Sequence, residues 1–176
     1  MRYVAAAFER LGLQPAGDDG GWLQRFPIVG LRSQVVTPMT FSAGGKSLAL
    51  TPVADCVLAA GRQNEAQTLR DAEVVFIGYG ITAPEQRWDD YKIDVRGKVV
   101  LLMNNDPEGD PDLFAGKTRL YYGRWDYKYA EAARHGAAGV IIIHTEASAG
   151  YPWQVVQSSW GGTSWELPAG DEPRLE

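Results

Sequence analysis

Few residues of this chain have the types and spacing that chemistry requires. It contains two histidines, His135 and His144, so it cannot by itself build a metal site that needs several histidine ligands. His144 follows a predicted strand, and ligands of α/β proteins bind beyond the carboxyl ends of such strands. A structural role is favoured for it, because no metal-ligand spacing surrounds it. His135 falls in the last turn of a predicted helix, where it complements the helix dipole.

A glycine motif at residues 78–83 (GYGITA) matches the fingerprint of dinucleotide-binding folds. In those folds the glycines open a helix whose amino end faces the pyrophosphate. Here Pro84 follows at once, and residues 85–90 have no apolar residues at helical spacing. The sequence therefore predicts a glycine-rich turn that lets the backbone pass close to a neighbouring element.

The loop at residues 104–116 (NNDPEGDPDLFAG) is acidic and resembles a calcium loop in its alternating oxygen ligands. Its twelfth position is Ala115, where a calcium loop has a bidentate glutamate. Pro107 and Pro111 also stiffen the segment. A solvated loop is favoured over a calcium site.

The elements that position these residues centre on Tyr121 to His144. Large apolar residues recur from Trp125 at helical spacing, and Gly136 ends the predicted helix. The β-branched run Val140–Ile143 then predicts an interior strand, and Lys98–Met103 predicts another. A helix between two such strands is typical of a β-α-β crossover with parallel strands. The fold class predicted is mixed α/β (α+β).

Other segments predict a few flanking elements. Apolar periodicity predicts a helix over Arg2–Leu11 and strands near Trp22–Thr40, Ser47–Thr51 and Glu73–Ile77. The segment Gly150–Gly162, with two tryptophans and a valine pair, is interpreted as one more strand.

Composition excludes several classes of partner. Acidic residues outnumber basic ones by 22 to 17, and no block of five Lys or Arg occurs, so neither nucleic acid nor membrane is expected as a partner. No apolar segment approaches the roughly 18 residues that a membrane span needs. The single cysteine, Cys56, cannot form an internal disulfide and is expected to be a small core residue.

Three separated segments resemble a known family: residues 76–107 (FIGYGITAPEQRWDDYKIDVRGKVVLLMNNDP), 121–144 (YYGRWDYKYAEAARHGAAGVIIIH) and 150–160 (GYPWQVVQSSW). Together they resemble the protease-associated domain inserted into bacterial zinc aminopeptidases of the leucyl aminopeptidase and glutamate carboxypeptidase family. The resemblance divides the chain into residues 1–20, the end of a peptidase-domain helix and a linker, residues 21–167, the protease-associated domain, and residues 168–176, a polar tail. We expect a piece of a longer chain.

The resemblance implies a curved mixed β-sheet or open β-barrel with a central β-α-β unit. In that family His, Asp and Glu side chains bind two zinc ions, and most of these ligands follow the insert in the chain. The first of them belong to a His-x-Asp motif that this sequence lacks. No catalytic, cofactor-binding or metal-ligating residue is therefore assigned here, and the two zinc ions are expected in the parent peptidase domain. The implied role is a non-catalytic lid, substrate-access or interaction element of a secreted or periplasmic aminopeptidase, with its own peptidase domain and peptide or protein substrates as partners.

Arginines and aromatic residues near Tyr121 and in the later tryptophan segment are the candidate contact residues. They are Arg119, Tyr121, Tyr122, Arg124, Trp125, Trp153 and Trp160. If Tyr122 and Trp125 were fully buried, their stretch would be structural throughout. Two alternatives stay open. One is a free-standing module that binds peptides or proteins through these aromatics, and the other is a small-molecule enzyme that uses His144 and the Asp106 loop.

Overall fold

A computed structural model of the chain describes residues 1–170. The helices are α1 (Arg2–Arg10), α2 (Trp125–Arg134), α3 (Glu146–Ala149) and α4 (Trp153–Trp160). The strands are β1 (Val29–Leu31), β2 (Met39–Ala43), β3 (Lys46–Leu50), β4 (Val74–Phe76), β5 (Thr82–Ala83), β6 (Trp88–Asp89), β7 (Val99–Met103), β8 (Gly139–Ile143) and β9 (Ser164–Glu166). Positions 171–176 of the predicted polar tail lie outside the described residues.

The elements divide into two compact units. The smaller unit comprises Met1–Leu31 and Ser164–Gly170 and contains α1 and the antiparallel pair β1–β9. Helix α1 confirms the prediction at the start of the chain, and Gly12, at a φ of +75°, lets the chain turn away after it. The larger unit is Arg32–Thr163.

A three-stranded parallel sheet in the order β4-β7-β8 organises the larger unit. Its strands consist almost entirely of Val, Ile and Leu, as expected where both faces of a parallel sheet are apolar. Helix α2 connects β7 to β8 and buries Ala132 against Val100 and Leu102, all fully inaccessible to solvent. The predicted β-α-β unit is confirmed, with one face of the sheet covered by α2. The expected interior position of the Val140–Ile143 strand is wrong, because β8 is an outer strand of the sheet and its residues are partly exposed, while β7 is the central strand.

The remaining strands of the described residues form the separate antiparallel pairs β1–β9, β2–β3 and β5–β6. The mixed α/β class is thus confirmed, as several small sheets that do not close into a barrel within residues 1–170. None of the helices described there is long and apolar enough to cross a membrane.

The strand expected within Gly150–Gly162 is wrong, because this segment folds as helix α4. Trp153, Val156 and Trp160 stand three and four residues apart, which is helical spacing, and Val156 is buried at 4% exposure. Pro152 precedes the first helical residue and Gly161 follows the last. The valine pair favours a strand, because β-branched residues are common in strands. The spacing of the two tryptophans is helical, and the segment folds as a helix.

The glycine motif forms a turn, as predicted. Gly80 has a φ of +66°, and a Cβ placed on it would lie 2.7 Å from Cδ2 of Leu102 in the central strand. The chain continues into the short hairpin β5–β6, with a 3₁₀ turn at Pro84–Gln86 between its strands. No nucleotide-binding helix opens at this point, because the residues after the motif form a hairpin.

Candidate functional site

Three consecutive polar residues follow β7 at the carboxyl edge of the sheet. Asn104, Asn105 and Asp106 are each at most 7% exposed, so each needs hydrogen-bond partners inside the protein. Asn104 Oδ1 accepts a 2.9 Å hydrogen bond from the indole nitrogen of Trp125, the first residue of α2. This bond ties the end of the central strand to the start of the helix.

The short helix α3 is attached to the same edge through its last carbonyl groups. The side-chain amide of Asn105 donates to the carbonyl oxygen of Ser148. The Arg119 guanidinium donates to the carbonyl oxygens of Ser148 and Ala149, at 2.7 and 2.9 Å. A cation over the terminal carbonyls of a helix is favourable because those groups lack partners within the helix. Arg119 therefore has a structural partner at one end of the predicted contact stretch.

Asp106 fixes the segment that leads into the contact stretch. Its Oδ2 accepts a 3.1 Å hydrogen bond from the backbone N–H of Leu120. Burial raises the pKa of Asp106, against the lowering effect of this hydrogen bond.

The carboxylates further along the acidic loop are exposed, and Asp110 accepts from the backbone of Asp112 in a local turn. Within residues 1–170 no three His, Cys, Asp or Glu residues group as a metal site would require.

Lys128, on the buried side of α2, is the ionisable residue that the sequence interpretation missed. It is fully buried, and its Nζ donates a 2.6 Å hydrogen bond to the carbonyl oxygen of Tyr79 in the glycine turn. Burial lowers the pKa of Lys128 to about 8, although the negative charges of Asp106 and Asp90 oppose that effect. Lys128 is three residues after Trp125 and four residues before Ala132, so the helical spacing places it on the apolar face of α2. This spacing could have predicted its burial.

Asp90 holds the same glycine turn from the other side. Its Oδ2 accepts hydrogen bonds of 3.1 Å from the backbone N–H groups of both Tyr79 and Ile81. Lys128 donates a hydrogen bond to the carbonyl oxygen of Tyr79, and Asp90 accepts one from the N–H of the same residue. Both backbone groups of Tyr79 are therefore bonded. The motif that resembled a nucleotide site is thus a rigid connection between α2 and the hairpin.

We give the name aromatic surface to four of the predicted contact residues: Tyr121, Tyr122 and Trp125 around the start of α2, and Trp160 at the end of α4. Tyr121 is 58% exposed and Trp160 is 37% exposed, while Tyr122 and Trp125 are half-buried. Trp125 packs against Trp160 with ring centroids 5.4 Å apart. The condition that would have made this stretch purely structural, full burial of Tyr122 and Trp125, is not met.

Tyr122 is anchored by contacts on two sides. Its hydroxyl donates a 2.5 Å hydrogen bond to Glu85, which raises the pKa of Tyr122 to about 12. Its ring packs edge-on against Phe114 and Tyr127, with centroids 5.6 and 5.1 Å away. Tyr121 also contacts Tyr127, at 5.4 Å. The buried rings of Phe114 and Tyr127 therefore support Tyr121 and Tyr122.

Arg124 and Trp153, two other predicted contact residues, have partners of their own. Arg124 forms an exposed ion pair with Asp126 at 3.2 Å. Trp153 donates its indole N–H to the carbonyl oxygen of Val53 at 3.2 Å, and its ring lies 5.5 Å from that of His144. Trp153 therefore joins α4 to the segment after β3, whereas Trp125 and Trp160 pack against each other.

The two histidines have different surroundings. His135 stacks on Tyr91 with ring centroids 3.9 Å apart, and its Nε2 lies 3.3 Å from a carboxylate oxygen of Glu131. His144 lies between the rings of Tyr151 and Trp153, and both of its buried ring nitrogens lack hydrogen-bond partners among residues 1–170. The carboxylate of Asp106, its proposed partner in a small-molecule enzyme, is bonded to the backbone at Leu120.

Comparison of the chain with family models, with curated proteins and with solved structures found no match. The resemblance to the protease-associated domain therefore stays a prediction.

Proposed function

We propose that this chain is a non-catalytic accessory domain of the protease-associated type, with its parallel sheet as the scaffold. In this proposal it belongs to a secreted dizinc aminopeptidase, where it acts as a lid, substrate-access or interaction element for the peptidase active site. The zinc ions and their ligands belong to the peptidase domain of the parent chain.

One observation carries the proposal: exposed and half-buried aromatic side chains lie beside groups that hydrogen bonds fix at the carboxyl edge of the sheet. Asn104 fixes Trp125, and Asp106 fixes the backbone just before Tyr121. Rigid aromatic side chains supply a large contact area at low entropic cost, which suits them to recognise a partner or a peptide. The polar groups at the carboxyl edge of the sheet thus support a surface.

A lid that contacts substrate through this surface favours longer peptides over small ones. A peptide that extends beyond the active site gains contacts with Tyr121 and Trp160, whereas a single aminoacyl group does not reach them. The extra contacts appear in kcat/KM for the long substrate alone, because the chemistry at the zinc ions is the same for both.

The first experiment tests the isolated chain. Aminoacyl chromogenic substrates incubated with the chain and zinc are expected to give no release above buffer with zinc. Zinc-dependent release that scales with protein concentration would overturn the proposal. A second test is the gene itself, which is expected to encode a His-x-Asp motif after Glu176, followed by paired acidic ligands and a late histidine.

The exposure of Tyr121 also favours the alternative of a free-standing peptide or protein interaction module. The two functions differ in one property: the module binds peptides through the aromatic surface without a peptidase domain, whereas the accessory domain acts together with one. Peptide binding by the isolated chain that Tyr121→Ala abolishes, together with a gene that encodes no peptidase domain, would favour the module.

A further inference from the structure

Strand β4 is an outer strand of the parallel sheet, and one row of its backbone groups is unpaired. Its other edge bonds to β7: Ile77 N–H donates to Leu101 at 3.1 Å, and Glu73 accepts from Val99 at 2.8 Å. Alternate residues of a strand point their backbone groups to opposite sides, so those of Val74 and Phe76 face away from β7. No strand among residues 1–170 pairs with that side.

The side chains beside this free edge are apolar and accessible. Val74 is 39% exposed and Phe76 is 58% exposed, on the face opposite the one that α2 covers. An exposed apolar edge strand is a template for pairing with another extended chain, and proteins otherwise blunt such edges with very short strands, charge, proline or a cover. β4 is short and offers two outward-facing residues, Val74 and Phe76. Neither a charge nor a proline occurs within β4.

A hollow of about 320 Å³ lies at the carboxyl end of β4. It is lined by Phe76, Ile77, Gly78, Asp90, Lys92 and Ile93. Phe76 and Ile93, which is 50% exposed, give it an apolar wall. The hollow therefore continues the apolar edge and can accept the last side chain of a strand laid along it.

The hollow is lined by one carboxylate, that of Asp90, and one ammonium group, that of Lys92. The carboxylate of Asp90 is bonded to two backbone N–H groups of the glycine turn. Lys92 is exposed and pairs with no carboxylate of the described residues. A cation at this end of an edge strand complements the terminal carboxylate of an added parallel strand, whose carboxyl end lies at the same end of the sheet.

We propose that the free edge of β4 binds an extended peptide, parallel to β4, whose terminal carboxylate is held by Lys92. The backbone groups of Val74 and Phe76 supply the hydrogen bonds, and the hollow beside Ile93 takes the last apolar side chain. This site is separate from the aromatic surface, so the proposal stands or fails independently of the accessory function.

The probe is acetyl-Thr-Val-Thr-Val with a free carboxylate, titrated into the isotope-labelled chain and followed by amide chemical shifts. The shifts are expected at β4 and at Lys92. The C-terminal amide of the peptide is expected to bind about two- to fivefold more weakly, as for loss of an exposed ion pair. Of two peptides N-methylated at alternate residues, one is expected to lose about tenfold in affinity, because only one set of amides faces β4.

Two variants give the protein side of the test. Lys92→Gln is expected to remove the difference between the free carboxylate and the amide, whereas Lys117→Gln, a change at another exposed lysine, keeps it. Phe76→Pro removes an outward N–H that no strand uses and is expected to weaken binding of every peptide. Equal affinity for both N-methylated peptides, shifts that map away from β4, or no binding at millimolar peptide would overturn the proposal.

Discussion

The burial of Lys128 predicts an unusual dependence of stability on pH. Its pKa is about 8 in the folded protein, against an ordinary value of 10.5. Between these values the unfolded chain binds more protons on this amine than the folded one, so the free energy of unfolding rises with pH. Keeping the charge in this site costs the folded state about 3 kcal/mol below pH 7.

The size of the effect follows from the two pKa values of Lys128. Over the interval from pH 7 to pH 9 the contribution to the free energy of unfolding is about 1 kcal/mol in the stabilising direction. Above pH 9 the tyrosines whose pKa burial raises, such as Tyr91 and Tyr127, act in the opposite direction, because the unfolded chain loses their protons first. The interval below pH 9 is therefore the informative one.

The assay is urea unfolding at pH 7, 8 and 9, followed by tryptophan fluorescence. It compares the wild-type chain with Lys128→Met, which keeps a similar length of side chain without the charge. The rise of about 1 kcal/mol is expected in the wild-type chain relative to Lys128→Met. Lys117→Met, at an exposed position, serves as the control and is expected to keep the wild-type pH profile. Parallel profiles for wild type and Lys128→Met would refute the assignment of a buried, charged amine.

The glycine turn supplies the remaining predictions. Asp90→Ala removes the oxygen that accepts from the N–H groups of Tyr79 and Ile81, and urea unfolding is expected to show a loss of about 2 kcal/mol. An unchanged midpoint would contradict this role. Gly80→Ala is expected to cost roughly 1–3 kcal/mol in the same assay, because its φ is positive and the new Cβ would meet Leu102. Stability equal to wild type would show that the turn is looser than this contact implies.

The sequence was most informative where the apolar pattern was strong. The β-branched run at Val140–Ile143 and the helical spacing from Trp125 predicted the β-α-β unit correctly. The glycine motif was also assigned correctly, since the residues after Pro84 lack the apolar periodicity of the helix that a nucleotide site needs, and only a short 3₁₀ turn forms there. These elements could be predicted from the sequence because the conformational preference of their residues and their apolar pattern both favour the structure that forms.

The rest depends on contacts between residues distant in the chain. The bond from Lys128 to Tyr79 spans 49 positions, and the bond from Tyr122 to Glu85 spans 37, so no local pattern reports them. Helix α4 was missed because the preference of valine for strands outweighed the spacing of the tryptophans. The free edge of β4 is a property of sheet order, which the sequence of one strand does not contain.

The central claim is that the aromatic surface serves substrate access in a zinc aminopeptidase. The most direct measurement is kcat/KM of the full gene product for a tetrapeptide and for an aminoacyl nitroanilide, in wild type and in Tyr121→Ala with Trp160→Ala. Tyr129→Ala, which is 41% exposed on α2, is the matched control. We predict a fall for the tetrapeptide alone, absent in the control. Equal effects on both substrates, or a gene product without zinc-dependent aminopeptidase activity, would contradict the account.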